Sequence, residues 1–167
     1  KGTESAVRYL VLSDSHGNIA NMETAVERER PDGILHLGDC WRDAERLAER
    51  YPDILMEHVP GNCDCRPEEP LEKLVILGDC RVLLCHGHTY GVKTSLLAAG
   101  LKAEQDRLDA FLFGHTHKPL VDRRGRTLFL NPGSIGTGLR PTYGMLTVEG
   151  NRLDGRTIFL DAPAAGK

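Results

Sequence analysis

The stretch YLVLSDSHGN, residues 9–18, joins an apolar run to a short polar cluster that contains Asp14 and His16. A short apolar run bounded by turn-forming residues is typical of a buried β-strand. The polar cluster follows directly where that strand ends, and open α/β sheets place their ligand sites at strand ends. Residues 9–18 therefore predict a buried strand with a functional site at its carboxyl end.

The same arrangement recurs four times along the chain. Apolar runs lead into GD at 38–39, GNCD at 61–64, HGH at 86–88 and GHTH at 114–117. The clusters supply imidazole, carboxylate and amide groups, which suit Mn, Fe or Zn without any thiolate ligand. Together the five clusters predict a binuclear metal centre.

The spacing of apolar residues predicts how these strands are connected. A helix with Asn18 as its N-cap ends before Pro31, and a second helix carries apolar residues between positions 44 and 51. Residues 7–59 therefore read as a βαβαβ unit with parallel strands.

The second half of the chain has a different character. Residues 73–85 predict a hairpin around Gly78-Asp79, and residues 95–107 predict a third helix. Three or four short strands after Leu120 suggest antiparallel pairing in a mixed or second sheet.

Composition sets further limits. The 167 residues are 40% hydrophobic, which suits one core, so we expect a single domain over 6–161 with tails at 1–5 and 162–167. A net charge of -3 without a basic stripe argues against a nucleic-acid surface.

No apolar run is long enough for a membrane span or signal peptide, so we expect a cytoplasmic protein. The odd number of cysteines, five, favours reduced thiols.

Two pairs of candidate ligands lie two positions apart, Asp14 with His16 and His115 with His117. Alternate residues of an extended segment project to the same side, so each pair could reach one ion or two neighbouring ions. A capped turn is the alternative for Asp14 and His16. The candidate ligands include few carboxylates, so two bound divalent ions would leave the pocket with a net positive charge. Such a pocket suits an anionic substrate.

The ordered motifs Asp-x-His, Gly-Asp, Gly-Asn-x-Asp, His and Gly-His-x-His resemble the calcineurin-like metallophosphoesterases, most closely the small single-domain bacterial and archaeal phosphodiesterases. The resemblance runs from Arg8 to Gly136 and includes Asn-Pro-Gly-Ser at 131–134. It implies an α/β fold in which two mixed β-sheets pack as a sandwich and are flanked by helices. It also implies a ligand set: Asp14, His16 and His117 on one metal, Asn62, His86 and His115 on the other, and Asp39 as a bridge.

This reading predicts a phosphodiesterase that hydrolyses P–O bonds of a small phosphorylated substrate, since two neighbouring ions can bind a hydroxide and a phosphate oxygen together. Asp39, Asn62 and His86 are the expected catalytic residues, and His88 either contacts the substrate or stabilises a turn. The resemblance favours Mn, with Fe, Zn or Ni as alternatives. Homo-oligomerisation is left open.

Two other functions remain open. One is a catalytically weak metal-binding scaffold that acts through protein contacts, like the metallophosphoesterase-like subunit of retromer. The other is an aryl or nucleotide phosphomonoesterase.

Cys63 departs from the pattern, because many metallophosphoesterases carry a histidine there that protonates the leaving group. A thiol is a weak hydrogen-bond donor, so substrates with good leaving groups should react best. The alternative is that Cys63 is a loop residue without a role.

His36 and His58 lie within apolar runs, and we expect them to be core residues or to support the ligands. Asp64 either orients a ligand or a nearby amide, or is solvated.

Overall fold

The computed structural model describes residues 5–65, 68–136, 138 and 140–161, and this part of the chain contains ten β-strands and three α-helices. The predicted tails, residues 1–5 and 162–167, lie outside the described residues except for Ser5. In chain order the elements are β1 Val7–Leu12, α1 Ile19–Glu29, β2 Gly33–His36, α2 Trp41–Arg50, β3 Leu55–His58, β4 Glu72–Leu77, β5 Cys80–Cys85, α3 Leu97–Gln105, β6 Ala110–Leu112, β7 Leu120–Arg124, β8 Thr127–Asn131, β9 Thr142–Glu149 and β10 Arg152–Phe159.

The strands form two mixed five-stranded sheets. The first has the order β10-β9-β1-β2-β3, and the second has the order β4-β5-β6-β8-β7. Strands β1, β2 and β3 run parallel in the first sheet, as do β5, β6 and β8 in the second. The predicted βαβαβ unit and the predicted architecture of two mixed sheets flanked by helices are therefore confirmed.

The alternating direction of side chains along the central strands explains why the protein has a core layer on each side of the first sheet. Val11 faces the second sheet and packs in one cluster with Leu84 and Leu112. Its neighbours Leu10 and Leu12 point the other way, into a cluster with residues of α1 and α2 such as Met22 and Leu47. Because successive side chains of a strand face opposite sides, one apolar run supplies both layers of core.

The second sheet is covered on its outer face by α3. Ala99 and Ala103 of this helix pack with Phe111, Phe113 and Phe129, which lie on or directly after the strands beneath it. Small helix residues allow the helix to sit close to three phenylalanine rings. The order of layers is thus helices, sheet, sheet, helix.

The last two strands return to the first sheet. Strand β9 pairs antiparallel with β1, from Val7 opposite Val148 to Val11 opposite Gly144, and β10 pairs with β9. The sequence predicted the antiparallel hairpin but left its sheet open. Local turn residues determine that a hairpin forms, whereas long-range packing determines which strand of the sheet it pairs with.

Helix α1 begins and ends as predicted. The side chain of Asn18 accepts a hydrogen bond from the amide of Asn21 at 3.0 Å, and Arg30 ends the helix in a left-handed conformation before Pro31. No helix within the described residues is long and apolar enough to cross a membrane. The location of the protein in the cell remains a prediction from the sequence.

We expect His36 to make the protein acid-sensitive. Complete burial, assisted by the nearby His58, lowers the pKa of His36 to about 4, while the unfolded chain titrates near 6.5. The folded state therefore binds fewer protons than the unfolded state between about pH 6.5 and 4, so stability is lost as the pH falls through this window. The loss attributable to this residue reaches about 3 kcal/mol near pH 4.

Denaturant unfolding of metal-free wild type and His36→Gln at several pH values measures this effect. The wild type should lose more unfolding free energy than the variant between pH 6.5 and 4.5. Parallel curves for the two proteins would show that His36 does not cause the loss.

Candidate metal centre

The predicted ligands lie beyond the carboxyl ends of the parallel strands. Asp14 follows β1, Asp39 follows β2, His86 follows β5 directly, and His115 and His117 follow β6. Because the parallel strands of each sheet end at one edge, their loops meet there. Ligand atoms of Asp14, His16 and His117 lie within 4.8 Å of one another, and so do those of Asp14, Asp39 and His86.

Asp14 is at the centre of both groups, and its two carboxylate oxygens have different environments. Oδ2 accepts hydrogen bonds from the Ser13 hydroxyl at 2.5 Å and the His115 amide at 3.1 Å. Oδ1 faces three imidazole Nε2 atoms, those of His117 at 3.1 Å, His86 at 3.8 Å and His16 at 3.9 Å. One oxygen is therefore anchored, and the other is available to a metal ion.

His86 supplies the test of whether a cation fits. Its Nδ1 lies 2.8 Å from the carbonyl of Leu37, and a carbonyl can only accept, so Nδ1 carries the proton of the neutral ring. The lone pair on Nε2 then faces Asp39 Oδ2 at 3.5 Å and Asp14 Oδ1 at 3.8 Å, and this buried nitrogen has no hydrogen-bond partner among the described residues. Three electron-rich atoms that face one another are stabilised by a positive charge between them, which a bound cation or a proton on Nε2 would supply.

The pKa values of this pair reflect the same attraction. Burial alone would raise the pKa of Asp39, but His86 and the Cys63 amide hold it below its ordinary value. Burial alone would lower the pKa of His86, but Asp39 and Asp14 raise it. The site favours anionic carboxylates beside a positive charge.

Backbone conformation at the site differs from the expected extended segments. Eight non-glycine residues in the described chain have positive φ, and five of them are candidate ligands: Asp14, His16, Asp39, His115 and His117. The ligand pairs therefore do not lie on extended segments, contrary to the prediction, because left-handed turns direct these side chains. Such conformations cost on the order of 1–3 kcal/mol each and cluster at functional sites.

The pair His115 and His117 is divided between the two sides of the site. His117 contacts Asp14, whereas the His115 ring lies 5.0 Å from the ring of His86. The assignment of these two imidazoles to different ions stays a prediction. The two groups of ligand atoms share Asp14, so bridging by Asp39 stays a prediction.

Glycines allow the loops to approach each other closely. A Cβ atom at Gly61 would lie 2.1 Å from Asp39 Oδ1, and one at Gly114 would lie 2.0 Å from the Ser13 hydroxyl. Both positions require direct contact between the backbone of one loop and the side chain of another. These contacts hold the carboxylates at fixed positions.

Asp64 orients amides rather than being solvated. Its Oδ1 accepts from the amides of Cys40 at 2.9 Å and Trp41 at 2.8 Å, and its Oδ2 accepts from those of Asp39 at 3.0 Å and Gly61 at 2.8 Å. Cys40 makes no side-chain cap for α2, so a residue from a distant loop caps that helix. The same carboxylate fixes the backbone of Asp39.

Asn62 and Cys63 lie on the exposed side of the centre. The Cys63 amide donates to Asp39 Oδ1 at 3.1 Å, and the Asn62 amide nitrogen lies 3.7 Å from Cys63 Sγ. Asn62 therefore lies beside Asp39, and its role as a ligand stays a prediction. Cys63 is a free thiol, as are the other four cysteines, which the sequence predicted.

His88 lies near the second group but outside it. It begins a 3-10 turn, and its ring is 5.7 Å from that of His86 and 6.2 Å from that of His115. Burial and the neighbouring His86 lower the pKa of His88, so the ring favours its neutral form. Both predicted roles, substrate contact and turn formation, are compatible with this position.

His36 and His58 support the site from outside the ligand groups, as predicted. His36 Nε2 lies 3.1 Å from the Ser15 hydroxyl, and its Nδ1 accepts from the Gly38 amide at 3.2 Å. His58 stacks on Trp41 with ring centroids 3.9 Å apart. Both rings therefore brace the loops that carry Asp14 and Asp39.

Sequence reasoning missed three supporting residues. Asp43 Oδ2 accepts from the Ser15 hydroxyl at 2.7 Å and the Gly17 amide at 2.6 Å, and Ser134 donates to the Asp14 carbonyl at 2.8 Å. The third is Ser13, which contacts the Asp14 carboxylate. A carboxylate four residues before Leu47, on the apolar face of α2, was the available signal for Asp43. The Asn-Pro-Gly-Ser motif at 131–134 was the available signal for Ser134, and nothing in the spacing distinguished Ser13 from an ordinary loop residue.

Comparison with known sequences gives consistent matches. The family model of the calcineurin-like phosphoesterase superfamily domain matches residues 7–151. A probable metallophosphoesterase of Bacillus subtilis, YsnB, is 34% identical over 149 residues, which cover 86% of this chain and 85% of YsnB. The phosphodiesterase YfcE of Escherichia coli is 28% identical, with 84% of this chain and 87% of YfcE covered.

Solved structures share the fold. A predicted phosphoesterase from Streptococcus pneumoniae superposes with a TM-score of 0.79 at 25% identity, covering 97% of this chain and 94% of the other. Vps29 of Entamoeba histolytica, solved with zinc, has a TM-score of 0.69 at 19% identity over 93% and 100% of the two chains. The match over residues 7–151 and the similarity to YsnB show that this chain belongs to the calcineurin-like phosphoesterase superfamily.

Proposed function

We propose that this protein is a binuclear metal-dependent phosphodiesterase. Family membership supports a hydrolase that acts on phosphoesters. The observation that carries the proposal is the unpartnered Nε2 of buried His86, which faces the carboxylates of Asp14 and Asp39. A site built only for structure would satisfy that nitrogen with a donor.

The chain offers ligands for two ions. We assign Asp14, His16 and His117 to the first, and Asn62, His86 and His115 to the second, with Asp39 between them. This set of imidazole, carboxylate and amide groups suits Mn, Fe, Zn or Ni, and we propose Mn. When bound, two such ions activate a water molecule and offset the negative charge of the phosphate.

The protein itself supplies orientation and access. Asp14, Asp39 and His86 are buried and are held by neighbouring backbone groups, whereas His16, His117 and Asn62 are exposed. A small phosphoester can therefore approach from the exposed side while the buried residues stay fixed. His88, whose ring is beside His86 and His115, is the proposed neutral donor to a phosphate oxygen.

The leaving group receives little help from Cys63. The charge of Asp39, then burial, raises the pKa of the Cys63 thiol, so it remains protonated near neutral pH. A protonated thiol is nevertheless a weak hydrogen-bond donor. The chain should therefore favour diesters whose leaving group departs without a proton.

A scaffold function is the second candidate, because Vps29 shares the fold at a TM-score of 0.69. All seven ligands implied by the resemblance are present in this chain, and a scaffold has no need to retain them. A phosphomonoesterase would use the same chemistry and is distinguished by the substrate test below.

We expect two divalent ions per chain after supplementation with Mn, measured by elemental analysis. Asp39→Asn keeps the size of the side chain but removes its charge, so it should lower the metal content. It should also reduce the rate of diester hydrolysis by at least about 100-fold, because mutation of a residue that only supports a metal ligand already costs up to about 100-fold. Asp122→Asn, which removes a half-exposed carboxylate that pairs with Arg124 on β7 outside the centre, is the control and should match wild type. One ion or none in the wild type would contradict a binuclear centre.

We also expect Gly61→Ala to impair the site. Its Cβ would clash with Asp39 Oδ1, so Asp39 or the Asn62 loop must move. Metal content and diester hydrolysis should fall at least about tenfold while the helical content stays unchanged, because misplacement by about 1 Å is costly in catalysis. Gly100→Ala is the matched control, since its Cβ would enter open space in α3. Wild-type activity in Gly61→Ala would show that the close contact is dispensable.

The third expectation concerns the leaving group. With Mn, bis(4-nitrophenyl) phosphate should be hydrolysed well and an alkyl phosphomonoester poorly. Cys63→His should raise the rate for poorer leaving groups, within the roughly 10²- to 10⁴-fold typical of general acids, and should change activated aryl diesters little. At matched metal content, an equal change for both substrate types would assign Cys63 to loop packing.

A further inference from the structure

A polar groove of about 520 Å³ adjoins the candidate metal centre. Its wall includes Gly17, Cys40 and Cys63, each the residue that directly follows a candidate ligand: His16, Asp39 and Asn62. Arg42 and Arg46 of α2 complete the wall. They are four positions apart and therefore lie on one face of the helix.

Neither arginine is engaged within the described part of the chain. Arg42 and Arg46 are exposed, and no hydrogen bond or ion pair joins either one to another described residue. Arg50 of the same helix is different, since its guanidinium binds Glu23 at 2.5 Å. The helix therefore directs two unpaired guanidinium groups into the groove.

The two carboxylates of the groove are already satisfied. Asp43 Oδ2 accepts from Ser15 and Gly17, and Asp64 accepts from four backbone amides. These bonds also occupy the amides of Cys40 and Trp41 at the start of α2. Among the charged side chains that line the groove in the described part of the chain, Arg42 and Arg46 alone have unpaired donors.

We propose that Arg42 and Arg46 form a specificity subsite for an anionic group, a carboxylate or a phosphate, on the ester substituent that stays with the phosphorus. This rests on the proposed phosphodiesterase function for its reaction. A phosphodiester has two substituents, and the groove adjoins the centre that would bind the phosphate. Guanidinium groups match the planar or tetrahedral oxygens of carboxylate and phosphate.

Two substrates with the same leaving group test the subsite: 4-nitrophenyl phenyl phosphate and 4-nitrophenyl 4-carboxyphenyl phosphate. The wild type should prefer the carboxylate ester about fivefold in kcat/KM, as expected for one solvent-accessible ion pair, mainly through a lower KM. The variant Arg42→Gln/Arg46→Gln should lose this preference and keep its rate on the phenyl ester. High salt should weaken the preference of the wild type.

The control removes two arginines elsewhere. Arg124 and Arg126, in the hairpin between β7 and β8, pair with Asp122 and Asp109. The variant Arg124→Gln/Arg126→Gln has the same net charge as the test variant and should keep the fivefold preference. A preference that survives in Arg42→Gln/Arg46→Gln, or that falls equally in both double variants, would overturn the proposal.

A binding measurement separates this inference from the proposed function. Calorimetry with Mn-supplemented protein compares phenylphosphonate with 4-carboxyphenylphosphonate, neither of which can be hydrolysed. Tighter binding of the carboxylated compound that depends on Arg42 and Arg46 supports the subsite, even if neither ester is turned over and the proposed hydrolysis fails. Equal affinities, or no binding of either compound, would overturn the subsite.

Discussion

A single buried carboxylate, Asp14, joins the edges of both sheets. Its amide donates to Gly38 after β2, its Oδ2 accepts from His115 after β6, and its carbonyl accepts from Ser134 after β8. A residue that is completely buried and charged is tolerated only when its polar atoms are satisfied. The requirement to satisfy Asp14 therefore brings four loops from two sheets to one point.

Asp64 extends this principle to the other carboxylate of the centre. Helix α2 begins without a side-chain cap of its own, and the loop after β3 supplies one. The same carboxylate binds the amide of Asp39, so the start of the helix and the position of a candidate ligand depend on one group. Helix geometry and ligand geometry are consequently coupled through Asp64, which adjoins Cys63 and the groove of Arg42 and Arg46.

Much of this organisation could be predicted from the sequence, because the deciding signals are local. Apolar runs such as residues 9–12 located the central strands, and Asn18 and Pro31 bounded the first helix. The order of the polar clusters indicated the family and the candidate ligands. The return of β9 to β1 could not be predicted, since it depends on packing between residues more than a hundred positions apart.

The backbone conformations and supporting contacts of the centre could not be predicted from the sequence either. Aspartate and histidine adopt left-handed conformations more often than most residues, but they do so at only a small share of positions, so residue type alone does not predict the positive φ of Asp14 and His117. The supporting role of Asp43 likewise requires the position of Ser15, which lies 28 residues earlier. Long-range contacts of this kind determine the precision of a site more than its composition.

The uneven burial of the centre has a consequence for ion exchange. The group Asp14, Asp39 and His86 is buried, whereas His16 and His117 are exposed, so solvent and chelators reach the two sides unequally. In the proposed centre, an ion held by the exposed His16 and His117 would dissociate after one side chain rotates outward, whereas an ion held by the buried His86 would keep that ligand until the loops separate. The two proposed positions should therefore exchange at different rates, and a short exposure to chelator would first remove the ion bound by His16 and His117.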